Sequence, residues 1–116
     1  MSIRVVARDE LPWSNIAHEL VGADHGVGIC VIFVDAEPGR GPSLHTHPYE
    51  EVLIVLEGKV TLDDGTEKRR AGAGDVVLIA PGQPHGFVNS GPGRLRQIDI
   101  HVSPSFSTDW GAKGDS

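Results

Sequence analysis

Apolar residues never run far in this chain before glycine and proline stop them. Fifteen glycines and eight prolines fall in clusters: Pro38-Gly39-Arg40-Gly41-Pro42, Gly72-Ala73-Gly74, Pro81-Gly82-Gln83-Pro84 and Ser90-Gly91-Pro92-Gly93. Between them lie short apolar runs, Gly28–Val34, Glu51–Glu57, Lys59–Leu62, Val76–Ala80, Phe87–Asn89 and Leu95–Val102. Most are of strand length and rich in Val and Ile. Asp64-Gly65, flanked by Thr61-Leu62-Asp63 and Thr66-Glu67, reads as a tight hairpin. Helical periodicity is weak, and only Pro12–Leu20 has room for a helical turn or two. Short strands with turn chemistry between them predict an all-β fold, an antiparallel sandwich or barrel.

A chain of 116 residues is one domain long. At that size roughly two-thirds of the unfolded surface is hidden on folding, enough for a core without disulfides. The single cysteine, Cys30, sits inside an apolar run and reads as a small buried hydrophobe. Two runs, Val52–Leu56 and Val76–Ala80, are apolar at successive positions, so both faces of their strands must be covered. In so short a chain a second subunit is the expected cover, which predicts a homodimer. Ten basic residues stand against sixteen acidic ones, for a net charge of −6. That balance excludes nucleic acid as an expected partner and leaves no polybasic patch for a membrane. No apolar stretch is long enough to span a bilayer. Met1–Val6 has no signal-peptide core. The expectation is a cytoplasmic protein.

His45-Thr46-His47 is the chemical centre. Residues two apart on an extended segment face the same way, so two imidazoles can share one ion. Glu51 follows at the start of the next strand, and His85 arrives from a distant segment just after Pro84. Three imidazoles and a carboxylate form a borderline donor set. It suits Fe(II), Mn(II), Co(II), Ni(II), Cu(II) or Zn(II), and suits Ca or Mg poorly.

The spacing around these residues is specific. Gly39, five residues, His45-Thr46-His47, three residues, Glu51, six residues and Gly58 together resemble the first cupin motif at every position. Gly74, Gly82, His85 and Asn89 resemble the second, with one departure: Ala80 stands where that motif has proline. The departure touches turn rigidity and no ligand. The resemblance covers Gly39–Asn89 and implies a double-stranded β-helix, the cupin jelly-roll barrel, with a metal inside near one open end. Carried over residue by residue, it implies His45, His47, Glu51 and His85 as ligands. Along the whole chain the expectation is an N-terminal segment with an edge strand and a short helical turn over 1–27, the barrel over 28–103 and a tail over 104–116, frayed from Gly111 on. Gly58 and Gly82 are expected to shape corners, and Asn89 to tie down a loop.

Gln97, Asp99 and His101 alternate with Ile98, Ile100 and Val102. Their polar face is expected either in water or inside the barrel. If it faces inward, Asp99 and His101 are candidates for proton transfer or for orienting a ligand, and Gln97 and Tyr49 for lining the pocket. Glu50 is expected to point away from the metal, and His18 and His25 to lie on the surface. Trp13, Phe87 and Trp110 read as packing groups.

Four protein ligands on a six-coordinate ion leave two positions for a small organic substrate, or for a substrate oxygen beside dioxygen or water. The expected activity is a metal-dependent dioxygenase. The alternatives are a non-oxidative isomerase, lyase or decarboxylase, and a non-catalytic module that binds metal or a small ligand. Fold and ligands do not choose among them.

Overall fold

The structure, a computed structural model, describes residues 3–111. These include the strands β1 (Trp13–Ser14), β2 (Ala17–Leu20), β3 (Cys30–Ala36), β4 (Glu51–Glu57), β5 (Lys59–Asp63), β6 (Lys68–Gly72), β7 (Val76–Ile79), β8 (Gly86–Asn89) and β9 (Leu95–His101). One sheet runs in the order β1-β2-β3-β9-β4-β7, and the other in the order β6-β5-β8. Every pairing is antiparallel. Ala17, Val34, Ala36, Leu53, Val55, Val60, Ile79, Phe87 and Leu95 fill the space between the sheets. No helix among the described residues is long and apolar enough to cross a membrane.

The apolar runs became β3, β4, β5, β7, β8 and β9. Strand β6 was implied only as the second arm of the Asp64-Gly65 hairpin, with no apolar run to give its range. Its sequence, Lys-Arg-Arg-Ala-Gly, lacks apolar alternation because it is an exposed edge strand whose partner β5 supplies the pairing. The helical turn allowed for Pro12–Leu20 is not there. That segment is the β1–β2 hairpin, and it pairs along the whole of β2 with β3. Long-range pairing overrode a weak local preference. The Asp64-Gly65 hairpin is present, closed by a backbone bond from Asp64 to Glu67 and by the Asp64 carboxylate accepting from the Thr66 and Glu67 amides.

Alternation and register together place the site. In β9 the buried positions are Leu95, Gln97, Asp99 and His101, and in β4 they are Glu51, Leu53 and Val55. Side chains on the inner face therefore form rows across the sheet. Cys30, His101, Glu51 and Ile79 make one row. The next, one step deeper, is Glu19, Ile32, Asp99, Leu53 and Val77. Asn89 does tie a turn to the sheet: its Nδ2 donates to the Ala36 and Gly93 carbonyls, and its Oδ1 accepts from the Gly91 amide. Cys30 is fully buried, as expected.

Candidate metal centre

His45 lies outside the named strands, yet a two-way backbone bridge holds it opposite His85, with both N–H···O distances at 2.9 Å. His47 stands two residues on and faces the same way. Glu51 opens β4, and its row-mate is His101 of β9. One ligand atom from each of His45, His47, Glu51 and His85 can be chosen so that all lie within 4.8 Å of one another, and all four residues are buried.

The ring orientations are set by the backbone. Nδ1 of His45 lies 2.6 Å from the Ser43 carbonyl, that of His47 2.8 Å from Ser107, and that of His85 2.8 Å from Gln83. A carbonyl only accepts, so each Nδ1 carries the hydrogen and each Nε2 presents a lone pair inward when the ring is neutral. Such tethers are what an imidazole ligand needs to hold its tautomer. His85 Nε2 lies 2.9 Å and His47 Nε2 3.3 Å from Oε1 of Glu51. The His47 Nε2, on a residue only 4% exposed, has no hydrogen-bond partner. A buried donor atom without a partner, beside two further lone pairs and a carboxylate oxygen, fits a borderline divalent cation.

The second oxygen of Glu51 is engaged elsewhere. His101 Nε2 lies 3.2 Å from Oε2, and His101 Nδ1 and the Tyr49 hydroxyl are hydrogen-bonded at 2.8 Å. Tyr49 also stacks on His47, with ring centroids 5.1 Å apart and planes 11° from parallel. Burial alone would push the Glu51 carboxyl up, but its contacts with His101, His47 and His85 hold it well below the usual range. Burial lowers His45 to about 4, helped by the neighbouring His85 and His47. For His85 burial pulls down too, yet Glu51 and the Gln83 carbonyl outweigh it and the imidazole is raised. Asp99 is pushed well up, by burial first and by the Glu51 charge second, against the bond from Gln97 Nε2.

A cavity of about 550 Å³ opens over this cluster. Ile16, Ala17, Ile32, Val34 and Phe87 make its apolar wall, and Asp99, His101 and Glu19 its polar one. The polar face of β9 thus points inward. Gln97 and Tyr49 do not line this cavity. Gln97 sits one row deeper than Asp99, and Tyr49 stands behind His47 and His101. Glu50 is exposed, away from the cluster. His18 and His25 are half-buried rather than fully on the surface: His18 Nδ1 bonds the Leu11 carbonyl, and His25 ends the short turn Gly22–Asp24, its backbone N–H donating to the Gly22 carbonyl. Trp110 does pack, but on the site: its ring lies 4.6 Å from that of His45.

Two contributors escaped the sequence. The segment expected as a tail folds back instead. Ser107 holds His47, Phe106 packs edge-on against His101, and Thr46 and Asp109 form a backbone bridge. Only its last residues, 112–116, where fraying was expected, lie outside the described ones. The other is Glu19: a lone glutamate in a segment with room for an edge strand and a helical turn carries no signal of facing a cavity.

Comparison with known proteins agrees with this geometry. The family model described as a cupin domain matches residues 32–101. The HTH-type transcriptional regulators PuuR of Escherichia coli (strain K12) and Shigella flexneri are each 32% identical over 79 residues, 67% of this chain. The matched part is 43% of those regulators, so the chain spans less than half the length of these relatives. Among solved structures, a conserved protein with a double-stranded β-helix domain from Klebsiella pneumoniae superposes with a TM-score of 0.74 at 24% identity, covering 92% of this chain and 96% of that one. The polyketide cyclase RemF of Streptomyces resistomycificus follows at 0.73 and 21%, covering 93% and 84%. The Bacillus subtilis oxalate decarboxylase, with its Mn(II) centres, superposes at 0.71 and 22%, covering 86% of this chain and 29% of that one. The fold is therefore the double-stranded β-helix.

Proposed function

The chain belongs to the cupin family, and from that premise we propose that it is a metal-dependent enzyme for a small organic substrate, with dioxygenase as the leading reading. One divalent transition metal, of the group Fe, Mn, Co, Ni, Cu or Zn, would be held by His45, His47, His85 and Glu51. The observation that carries this reading is the set of three imidazoles, each tied through Nδ1 to a carbonyl, that turn Nε2 toward one another beside Glu51. Such an ion supplies Lewis acidity and open coordination positions, the chemistry used to bring an enol and dioxygen together or to polarise a carbonyl.

The chain's own residues set the conditions. Ile16, Ile32, Val34 and Phe87 exclude water from the organic body of the substrate. Tyr49 and His101 hold Oε2 of Glu51, which leaves Oε1 facing the imidazoles. Asp99, buried on the cavity wall, keeps its proton to higher pH than an ordinary carboxyl and is the candidate for proton transfer. That proton-holding wall also favours the second reading, a non-oxidative isomerase, lyase or decarboxylase. The likeness to a regulator supports a third, a ligand-binding module without turnover.

The test is oxygen uptake by protein loaded with Fe(II), Mn(II), Ni(II) or Cu(II) against diketones, catechols and flavonols. Substrate-dependent uptake is expected, and Asp99→Asn should cut it about a hundredfold at unchanged metal content. Product without oxygen uptake would select the non-oxidative reading. Ligand binding with neither would select the module.

We also propose that two copies pair through the outer face of the larger sheet. Support comes from two apolar rows there: Val31, Ile100, Val52 and Leu78, and Phe33, Ile98, Ile54 and Val76. Val76 is 57% and Leu78 78% exposed, a poor ending for a monomer's sheet.

A further inference from the structure

The cavity changes character one row away from the imidazoles. Asp99 and Ile32 stand there, and Glu19 closes the row from β2, paired with Ile32. Two residues along a strand span about 7 Å. A molecule anchored at the imidazole cluster and reaching one row onward therefore meets Glu19 and Asp99, which line the same cavity. Asp99 is bonded to Gln97. The Glu19 carboxylate is half-buried, and among the described residues no group donates a hydrogen bond to it or pairs with it. No Lys or Arg among the described residues lines the cavity. Arg40, whose neighbour Gly41 is part of the wall, is bonded to Asn15. The cationic side chains that would answer a second anion are missing from the wall. The anchoring end is distinct: there the unpartnered Nε2 of His47 waits among the metal-ligating groups.

Resting on the metal reading above, we infer that the ligand of this cavity chelates at one end and carries an ammonium group at the other, received by Glu19. A carboxylate or phosphate at that far end is rejected by the same residue. The physical reason is desolvation. A half-buried carboxylate facing an apolar wall has lost water without gaining a partner, and a cation restores what was lost while an anion adds repulsion. The Glu19 carboxyl is raised by burial, with only the nearby His101 acting against it, as expected of a group with no partner among the described residues.

The experiment uses three hydroxamates with one chelating head and tails of matched length: β-alanine hydroxamate (ammonium), butyrohydroxamate (neutral) and succinate monohydroxamate (carboxylate). Each is titrated calorimetrically into the full chain loaded with Mn(II). The ammonium compound should bind at least tenfold tighter than the neutral one, and the carboxylate compound weakest. Glu19→Gln should bring the ammonium and neutral compounds within twofold of each other, with metal content at the wild-type level. Glu19→Lys should reverse the order of the two charged tails. Equal binding of all three tails by metal-loaded protein, or an ammonium preference that survives Glu19→Gln, overturns the inference and leaves the metal reading standing. Protein that retains no Mn(II) overturns both, and metal analysis before titration identifies that case.

Discussion

His85 and Glu51 make opposite demands on pH, and the sign of each can be worked out. His85 is raised above its ordinary 6.5, so its contribution to the stability of the metal-free protein is full below that value and is lost as pH rises through the raised one. Glu51 is lowered from an ordinary 4.5, so its contribution is present above that value and is lost in stronger acid. The metal-free protein therefore has both contributions between about 4.5 and 6.5. Metal binding reverses the alkaline side, because a cation replaces the His85 proton. His45, held neutral down to about 4, is withdrawn by acid only after His85, whose imidazole is raised. Melting temperature measured from pH 4.5 to 8 should fall on the alkaline side without metal and rise with saturating Mn(II). At a hundredfold excess over the dissociation constant the gain is about 2.7 kcal/mol, on the order of ten degrees. Equal pH profiles with and without the ion would show that it binds elsewhere. At this scale the four candidate ligand positions were legible in the sequence, His45 and His47 from their spacing on extended chain and Glu51 and His85 from the resemblance to the two cupin motifs. For His101 the sequence offered the orienting of a ligand only on condition that its face turned inward, and that condition depends on Tyr49 and Glu51 meeting it across the sheet.

The strands are joined at corners that two glycines illustrate. Gly58, between β4 and β5, has φ at +88°, and a Cβ there would run into the Arg94 carbonyl oxygen. Gly74 has a similar φ of +93°, but a Cβ there would meet open space. The two sites separate backbone strain from steric conflict. Gly74→Ala should cost about 1 kcal/mol, the strain alone. Gly58→Ala should cost about 3 kcal/mol or more, strain plus the displacement of β9's leading residues. Urea midpoints of the two variants read the difference directly. Equal costs would mean that the β4–β5 corner yields. The strands that carry apolar alternation were readable from residue order. The extents of β6 and of the β1–β2 hairpin were not, because their pairing is enforced by neighbours and not by their own residues.

The molecule as a whole leaves its larger sheet with an apolar outer face. The rows Val31–Ile100–Val52–Leu78 and Phe33–Ile98–Ile54–Val76 form one continuous patch. They end at a charged row in which Arg96 lies near both Asp35 and Glu57. An apolar centre with a charged rim is the anatomy of an interface between identical surfaces. Sedimentation at micromolar concentration should therefore show a dimer. Leu78→Arg, on an edge strand where the monomer loses no packing, should yield a folded monomer. A wild-type monomer at that concentration would remove the pairing and leave the interior site unaffected.

The residue order by itself determined the all-β class, most of the strands and the four side chains of the candidate metal centre. The class and the strands follow from local rules, period-two alternation with glycine and proline at turns; spacing on extended chain pairs only His45 with His47, and the full set of four is what the resemblance to the two cupin motifs implies. Only the tertiary structure decided that Asp99 and His101 face inward and that Ser107 and Trp110 return from the chain's end to hold and cover the imidazoles. It alone brought Glu19 into the same cavity. Those outcomes depend on which strand lies beside which, and register between distant segments is chosen by the burial of the whole core rather than by any short stretch of residues.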